Sequence, residues 1–530
     1  MTESDPEAVE HRTISVQKAR PQPHQRRTLV TVALLLAMTV ASLEQTVVST
    51  AMPSIIATLR GLDIYPWVFS AYLLASTVTT PLYGKLADML GRKRVLLFGL
   101  GVFAVGSILS GLSRSMPELI AMRVVQGIGA GAVGPIVITM LGDLFTLEER
   151  ARVQALFSVV WGASSLAGPY LGGVLTDHLS WRWVFYVTVP FAAVSAWILV
   201  TQVREPAMKR AVRPIDWSGA ALLSAASIVL LAAVLRGGEQ SLVTGLLLSA
   251  AGAVMLFLFI RNEQQVDDPI LPIDLLLAPN ILASVAGSFM IGALLFGIDT
   301  YVPLFVQGVQ GGTATTAGRT ITPLFLSWSI SVVVAAWVVR PFGFRRTALT
   351  GSLLIAVGAS TLALGAARLE LARPLFLAGM VVVGLGMGPT SLSFILDVQN
   401  SVARDRRGTA TSAVMFARMM GGAMGVGVLG AALGLELSHR LASTPGLEVA
   451  AALRPETHAR LAPEQLRAVQ SALGRSLRDV FLEMAVIATL AVVCSMGLRG
   501  GRAESHADAG RSHGLTGGDD ELDLTPALEL

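Results

Sequence analysis

A chain of 530 residues has room for several water-soluble domains, but 53% hydrophobic and only 14% charged residues stand far from the roughly 25% charge of soluble proteins. The net charge of +4 comes from basic residues scattered over short connecting segments, which excludes the clustered basic face of a nucleic-acid binder. One cysteine, Cys494, excludes a disulfide framework and a cysteine-based metal site.

The apolar residues fall in blocks of about 20, long enough to cross roughly 30 Å of hydrocarbon. Spans are predicted to begin near residues 29, 66, 95, 117, 154, 183, 217, 243, 281, 321, 348, 374, 409 and 478. The blocks are rich in Gly and Ala and lack period-2 alternation, which favours helices, since each helix satisfies its own backbone hydrogen bonds in lipid. The fold class is therefore all-α, a polytopic membrane protein of about 14 transmembrane helices.

Residues 1–27 form a polar tail, and the first apolar run is too long for a signal-peptide core and contains Glu44, so it reads as an uncleaved span. With the N-terminus in the cytoplasm, the loops carrying Arg92, Lys93 and Arg94, then Arg150 and Arg152, then Lys209, Arg210 and Arg213 all face the cytoplasm. Arg345, Arg346, Arg404, Arg406 and Arg407 fall on the same side. This is the positive-inside pattern, and an even span count returns the C-terminus to the cytoplasm.

The expected organisation is a six-helix half over 28–204, an inserted helix pair over 205–276 and a second six-helix half over 277–498. A long external loop is expected over 436–477. Within it, Pro463 and Glu464 followed by Val469, Leu473 and Leu477 predict an amphipathic helix on the outer surface, leading into the last span. The tail over 499–530, with Asp519, Asp520, Glu521 and Asp523, has too little apolar content to fold alone and is expected to be disordered.

A weak internal repeat supports two halves. After the second span the chain reads Gly84-Lys-Leu-Ala-Asp88-Met-Leu-Gly91-Arg92-Lys93-Arg94, and after the tenth Arg340-Pro-Phe-Gly343-Phe-Arg345-Arg346. Both follow an inward-running span and end in a glycine-led basic turn. Gly84 and Gly91 permit a tight turn, and Asp88 can accept hydrogen bonds from Arg92 or from a neighbouring helix N-terminus.

The first of these loops resembles the signature loop of the major facilitator superfamily. Leu119-x-x-x-Arg123-x-x-Gln126-Gly127-x-Gly129 resembles that family's fourth-helix motif. Gly162-x(5)-Gly168-Pro169-x-x-Gly172-Gly173 resembles the fifth-helix motif of its antiporters, and Leu43-Glu44-x-Thr46 through Ala51-x-Pro53 the first-helix motif of its fourteen-span drug:proton antiporters. The chain departs from the pattern in carrying Glu44 for the usual Asp and Ser49 for the usual Asn, and the second loop lacks the Asp. The resemblance covers about residues 28 to 498. It implies that Arg123 governs proton transfer and that Gly84, Asp88, Gly91, Arg92 and Lys93 form a gating loop.

A charged side chain in the bilayer costs about 2.5 to 3.5 kcal/mol on insertion scales, so intramembrane charges are functional candidates. Glu44 lies about 15 residues, roughly 22 Å, into the first span, and reads either as a proton carrier that attracts cations or as a structural carboxylate paired with a buried Arg. Asp299, with Phe296, Tyr301 and Phe305 nearby in sequence, suits a lipophilic cation through charge and cation–π contact; the alternative is a hydrated acid at the outer interface. Arg123 cannot deprotonate and needs a partner or a cavity. Gln126 joins the expected substrate cavity. Arg418 reads as buried and structural, and Glu118, Asp397 and Glu483 as hydrated acids at span ends. Gly168-Pro169 should kink the fifth helix, while Gly162, Gly172 and Gly173 allow close packing that seals the halves.

No Gly-x(4)-Gly-Lys-Ser/Thr stretch is present, and no histidines fall at metal-ligand spacing. The expectation is therefore no enzyme, no metal and no cofactor other than a proton gradient. The expected activity is export of small hydrophobic or cationic molecules in exchange for protons, by a monomer in the plasma membrane, with no nucleic-acid partner. A lipid or siderophore exporter and a non-transporting receptor or scaffold are the rival readings.

Overall fold

The computed structural model describes residues 24–62, 64–145, 147–203, 216–237, 242–266, 273, 278–402, 407–441 and 463–498. The tail predictions over 1–23 and 499–530 lie outside them. The first half consists of α1 (His24–Leu59), α2 (Pro66–Leu90), α3 (Arg92–Leu112), α4 (Met116–Leu144), α5 (Leu147–His178), the short α6 (Trp183–Tyr186) and α7 (Thr188–Gln202). Then come α8 (Trp217–Gly237), α9 (Leu242–Glu263), α10 (Pro279–Gly308), α11 (Ala314–Ala367), a single 3-10 turn (Leu369–Leu371), α12 (Ala372–Asn400), α13 (Arg407–Leu441) and α14 (Pro463–Met496).

Eleven stretches among the described residues are long and apolar enough to cross a membrane, α11 supplying two of them. Three further long helices, α2, α5 and α8, fall outside that set, so the helices are consistent with the expected fourteen passes without fixing the number. Two of them are enclosed by other helices. α2 packs on α4 and α13, and α5 on α1 and α11. A helix that touches protein rather than lipid on most sides tolerates polar positions such as Thr77, Thr79 and Thr80, whose hydroxyls donate to backbone carbonyls.

Local chemistry sets the boundaries. Ser115 caps α4 by accepting from the Glu118 N–H, and Glu118 in turn accepts from the Arg114 N–H at 2.9 Å. This reciprocal cap contributes about 1 kcal/mol, so Glu118 is a capping residue rather than an acid at a span end with only water around it. Gly91, at φ 99°, separates α2 from α3, and Gly343, at φ 78°, breaks α11 into two arms. Both conformations are strained for any residue with a Cβ. The two turns of the sequence repeat thus share a glycine-specific backbone.

α8 and α9 pack on each other, and Leu223 and Phe259 bury against Ala413 of α13. This pair sits beside the bundle that the other helices form. Two expectations differ from what is seen. Residues 436–441 close α13 and 463–477 open α14 without a break, so the external loop is shorter than expected, and residues 442–462 lie outside the described set. The amphipathic segment is not a separate surface helix: Val469, Leu473 and Leu477 are fully buried, and Gly474 lies against Val309 just beyond α10. Their apolar stripe packs on protein instead of lying on lipid. α5 also remains helical through Pro169.

Candidate functional site

The first-half site is built on five helices, with Arg123 at its centre. From α4, its Nε donates to the Val68 carbonyl of α2 at 3.1 Å, and its Nη1 donates to Glu44 of α1 and to Gln126 Oε1 at 2.6 Å. The guanidinium stands over the Tyr72 ring at 4.1 Å and within 5.8 Å of Phe185. Gln126 Nε2 passes the network on to Ser107 of α3 at 2.8 Å. All of these groups are buried. The partner that Arg123 needs is therefore Glu44, 79 residues earlier, and a charge-assisted pair with further hydrogen bonds is the arrangement that makes such burial tolerable. Only one oxygen of Glu44 is used: Oε2 is buried with no hydrogen-bond partner among the described residues.

The second-half site is a narrow cleft between the halves, with about 20 Å³ of space open to water-sized groups. α1 contributes Gln45 and Thr46, α10 contributes Leu295, Phe296 and Asp299, and α11 contributes Phe325 and Trp328. Phe325 and Trp328 are near-parallel, with ring centroids 6.3 Å apart. Asp299 is 4% exposed, and neither carboxylate oxygen has a hydrogen-bond partner among the described residues. The Ser49 hydroxyl of α1 lies beside it but donates to the Thr46 carbonyl at 2.8 Å. Asp299 is thus not a hydrated acid at an interface. It is a buried carboxylate opening onto an aromatic-walled space, a combination suited to a cation.

Of the predicted cavity residues, only Phe296 and Asp299 line this cleft. Tyr301 is fully buried elsewhere, its hydroxyl donating to the Val426 carbonyl at 2.6 Å and its ring meeting Tyr65 edge-on. Phe305 stacks on Phe376 at 4.7 Å in the core of the second half. Gln126 belongs to the Arg123 network. Trp328, Phe325 and Gln45 are not among the predicted residues, and Thr46 is one only as part of the first-helix motif; the i, i+3 spacing of Phe325 and Trp328 is the one signal that places them on a common helical face.

The fifth-helix glycines face two ways, Gly168 and Gly172 towards α1 within the first half and Gly173 towards α11 of the second. A Cβ at Gly168 or Gly172 would run into Thr46, Val47 and Thr50 of α1, and one at Gly173 into the backbone of Ala314 and Thr315 at the start of α11. Gly318 of α11 meets the Pro169 carbonyl in the same way. Gly162 is roomier, its nearest neighbour being Ser329 Oγ at 3.5 Å. Towards the face opposite Gly91, Gln307 donates to the Thr50 carbonyl at 2.9 Å and Ser70 to the Ala423 carbonyl at 2.7 Å. Both bonds join the halves.

On the Gly91 face, Lys93 donates to the terminal carbonyls of α7, Val200 at 2.9 Å and Val203 at 2.6 Å. Arg92 donates to the Thr139 carbonyl of α4 at 3.3 Å. A cation on the last carbonyls of a helix is favoured by its dipole. Gly84 has open space around it, and the Asp88 side chain lies outside the described set. Two predicted end-of-span acids differ from expectation. Asp397 is buried and accepts from Ser284 at 3.0 Å, because α12 packs on α10 at that level, and Glu483 is half-buried within α14.

Comparison with known proteins agrees with this architecture. The family model of the Major Facilitator Superfamily matches residues 34–426. Multidrug transporter protein MdtP of Bacillus subtilis is 33% identical over 413 residues, 77% of this chain and 75% of that protein. Multidrug resistance protein 3 of the same organism is 34% identical over 408 residues, 76% and 78% of the two chains. A bacterial homologue of the human lysosomal transporter Spinster, solved in an inward-facing and occupied conformation, superposes with a TM-score of 0.64 at 15% identity, over 89% of this chain and 97% of that one.

Proposed function

Because this chain belongs to the Major Facilitator Superfamily, we propose that it is a proton-driven exporter of hydrophobic, often cationic, compounds working by alternating access. Membership makes it a membrane transporter of small molecules rather than an enzyme. The names of the two Bacillus subtilis relatives support the export of drugs.

The observation that carries the reading is Asp299, a buried carboxylate that accepts no hydrogen bond among the described residues and opens onto Phe296, Phe325 and Trp328. A buried carboxylate without a donor must be balanced by a proton or a cation, and the aromatic walls hold the flat apolar body of a lipophilic cation. Glu44 is the proton carrier. Arg123 occupies one of its oxygens and leaves the other to take a proton, so a movement of α1 against α4 that stretches the pair changes the proton affinity of Glu44. Closure towards the face opposite Gly91 then corresponds to a state loaded from the cytoplasm, with both termini on that side of the plasma membrane and one chain as the working unit.

A lipid or siderophore exporter would need a cleft with few charges and a continuous lateral opening; the acid among three aromatic rings favours cations. The test is transport in proteoliposomes under an imposed pH gradient. A lipophilic cation should move against its own gradient and stop when a protonophore is added, whereas movement indifferent to the protonophore contradicts proton coupling.

A further inference from the structure

Arg418, like Arg123, is a buried arginine, and among the described residues its surroundings are the opposite of those of Arg123. It is 8% exposed, and its Nε and Nη2 are buried with no hydrogen-bond acceptor among the described residues. Among the described residues neither nitrogen has a counterpart to Glu44, Val68 or Tyr72, which accompany the guanidinium of Arg123. An arginine stays charged in proteins, and an unpaired buried charge is among the costliest groups a fold can carry. A purely structural arginine at this point should have a partner.

Its position connects it to the cleft. The backbone of Arg418 lies against Gly292 of α10, where the absence of a Cβ is what lets the two helices approach. One turn further along α13, Gly422 lies against Phe296, a wall of the cleft. On α10 the order is Gly292, then Leu295 and Phe296, then Asp299, so Arg418 meets α10 seven residues, or about 10 Å, nearer the Gly91 face than Asp299. A helical side chain leans towards its own N-terminus, so the guanidinium extends still further in that direction. Ser288, one turn before Gly292, also has a buried hydroxyl oxygen without a partner among the described residues. Among the described residues the second half thus holds a buried guanidinium with two unused donors and a buried carboxylate with no hydrogen bond, about two turns apart along α10.

We propose that Arg418 is an anion-recognition subsite for the exported molecule, which carries a carboxylate or similar anionic group as well as its cationic, aromatic body. Asp299 meets the cationic end in the cleft, and Arg418, with Ser288 beside the same contact, receives the anionic end towards the Gly91 face. This deepens the drug-export reading and rests on it: the substrate class becomes zwitterionic amphiphiles alongside simple lipophilic cations. A bidentate carboxylate is the chemistry a guanidinium fork binds best.

The test compares two dyes that share one xanthene body, rhodamine B, a zwitterion with a free carboxylate, and its ethyl ester, a pure cation. Binding to purified detergent-solubilised protein is read by fluorescence polarisation, which needs no proton gradient. Wild-type protein should bind the zwitterion more tightly than the ester. Arg418→Gln should weaken the zwitterion about ten- to a hundredfold, the effect of losing a charge-assisted bond, and leave the ester within about twofold; Arg418→Lys should keep part of the preference. In the ligand-free state Arg418→Gln should melt no lower than wild type, since it removes an unpaired buried charge. Equal losses for both dyes, no loss for either, or a variant that unfolds make Arg418 structural and overturn the proposal. If wild-type protein binds neither dye, the export reading itself fails and takes the proposal with it.

Discussion

Asp177, near the end of α5, accepts the backbone N–H of Thr315 at 2.8 Å through one carboxylate oxygen and that of Ala314 at 3.1 Å through the other. A helix of the first half thereby caps the N-terminus of a helix of the second. The contact combines two orphan donors with the positive end of a helix dipole. It lies in the same region as the Gly173–Ala314 approach, so it holds closed the face opposite Gly91.

Asp177→Ala should loosen that closure by about 1 kcal/mol, the usual worth of a cap. In a Cys494→Ser background, a cysteine introduced at Thr313 should then react several-fold faster with a water-soluble maleimide. An unchanged labelling rate would mean that the glycine packing alone holds the face shut.

The glycines of α5 make unequal predictions. Gly173→Leu places a side chain into the backbone of Ala314 and Thr315, costing about 1 to 3 kcal/mol of overpacking, and should abolish transport while membrane insertion persists. Gly162→Ala meets only Ser329 Oγ at 3.5 Å and should transport normally. Vesicle transport assays on the two variants, normalised to protein in the membrane, separate a motif that acts by close contact from one that acts by flexibility.

The buried pair of Glu44 and Arg123 predicts a non-additive cycle. Arg123→Gln leaves a buried carboxylate uncompensated and should destabilise the detergent-solubilised protein by about 3 to 5 kcal/mol. Adding Glu44→Gln to it should restore much of that loss, because the double variant has no orphaned charge. Thermal melts of both single variants and the double give the coupling; additive losses would argue against a direct pair.

Aromatic residues near Asp299 in sequence are not equivalent in space. Trp328→Ala should weaken binding of a lipophilic cation about tenfold or more, in line with a desolvated cation–π contact, with little change in melting temperature. Phe305→Ala should do the reverse, costing about 3 to 5 kcal/mol of stability through the cavity left against Phe376 and Phe481, while affinity in the folded fraction stays the same.

That contrast shows where sequence reasoning stops. Asp299 and Phe296 are three residues apart and share a helical face, whereas Tyr301 lies about 200° round the helix from Asp299 and Phe305 about 240°, at 100° per residue. Helical spacing alone distinguishes them once it is applied. The partnership of Glu44 with Arg123 is different: both charges stand out individually, but nothing local to either span says that they meet, because the contact is made by the packing of α1 on α4. The same holds for Phe325 and Trp328, which reach Asp299 only through the arrangement of α11 against α1 and α10. The turns at Gly91 and Gly343 were legible because their constraint is local, a backbone conformation that glycine alone adopts freely.

On the proposed function, Glu44 exchanges a proton as a cation binds and leaves. The most direct test of that exchange is substrate-induced proton release from detergent-solubilised protein in weakly buffered solution, read with a pH dye while a panel of lipophilic cations and neutral lipids is added. Release is expected with cations from wild-type protein, with its loss in Glu44→Gln and no release with neutral lipids. Equal release from wild type and Glu44→Gln, or none with any compound, would contradict it.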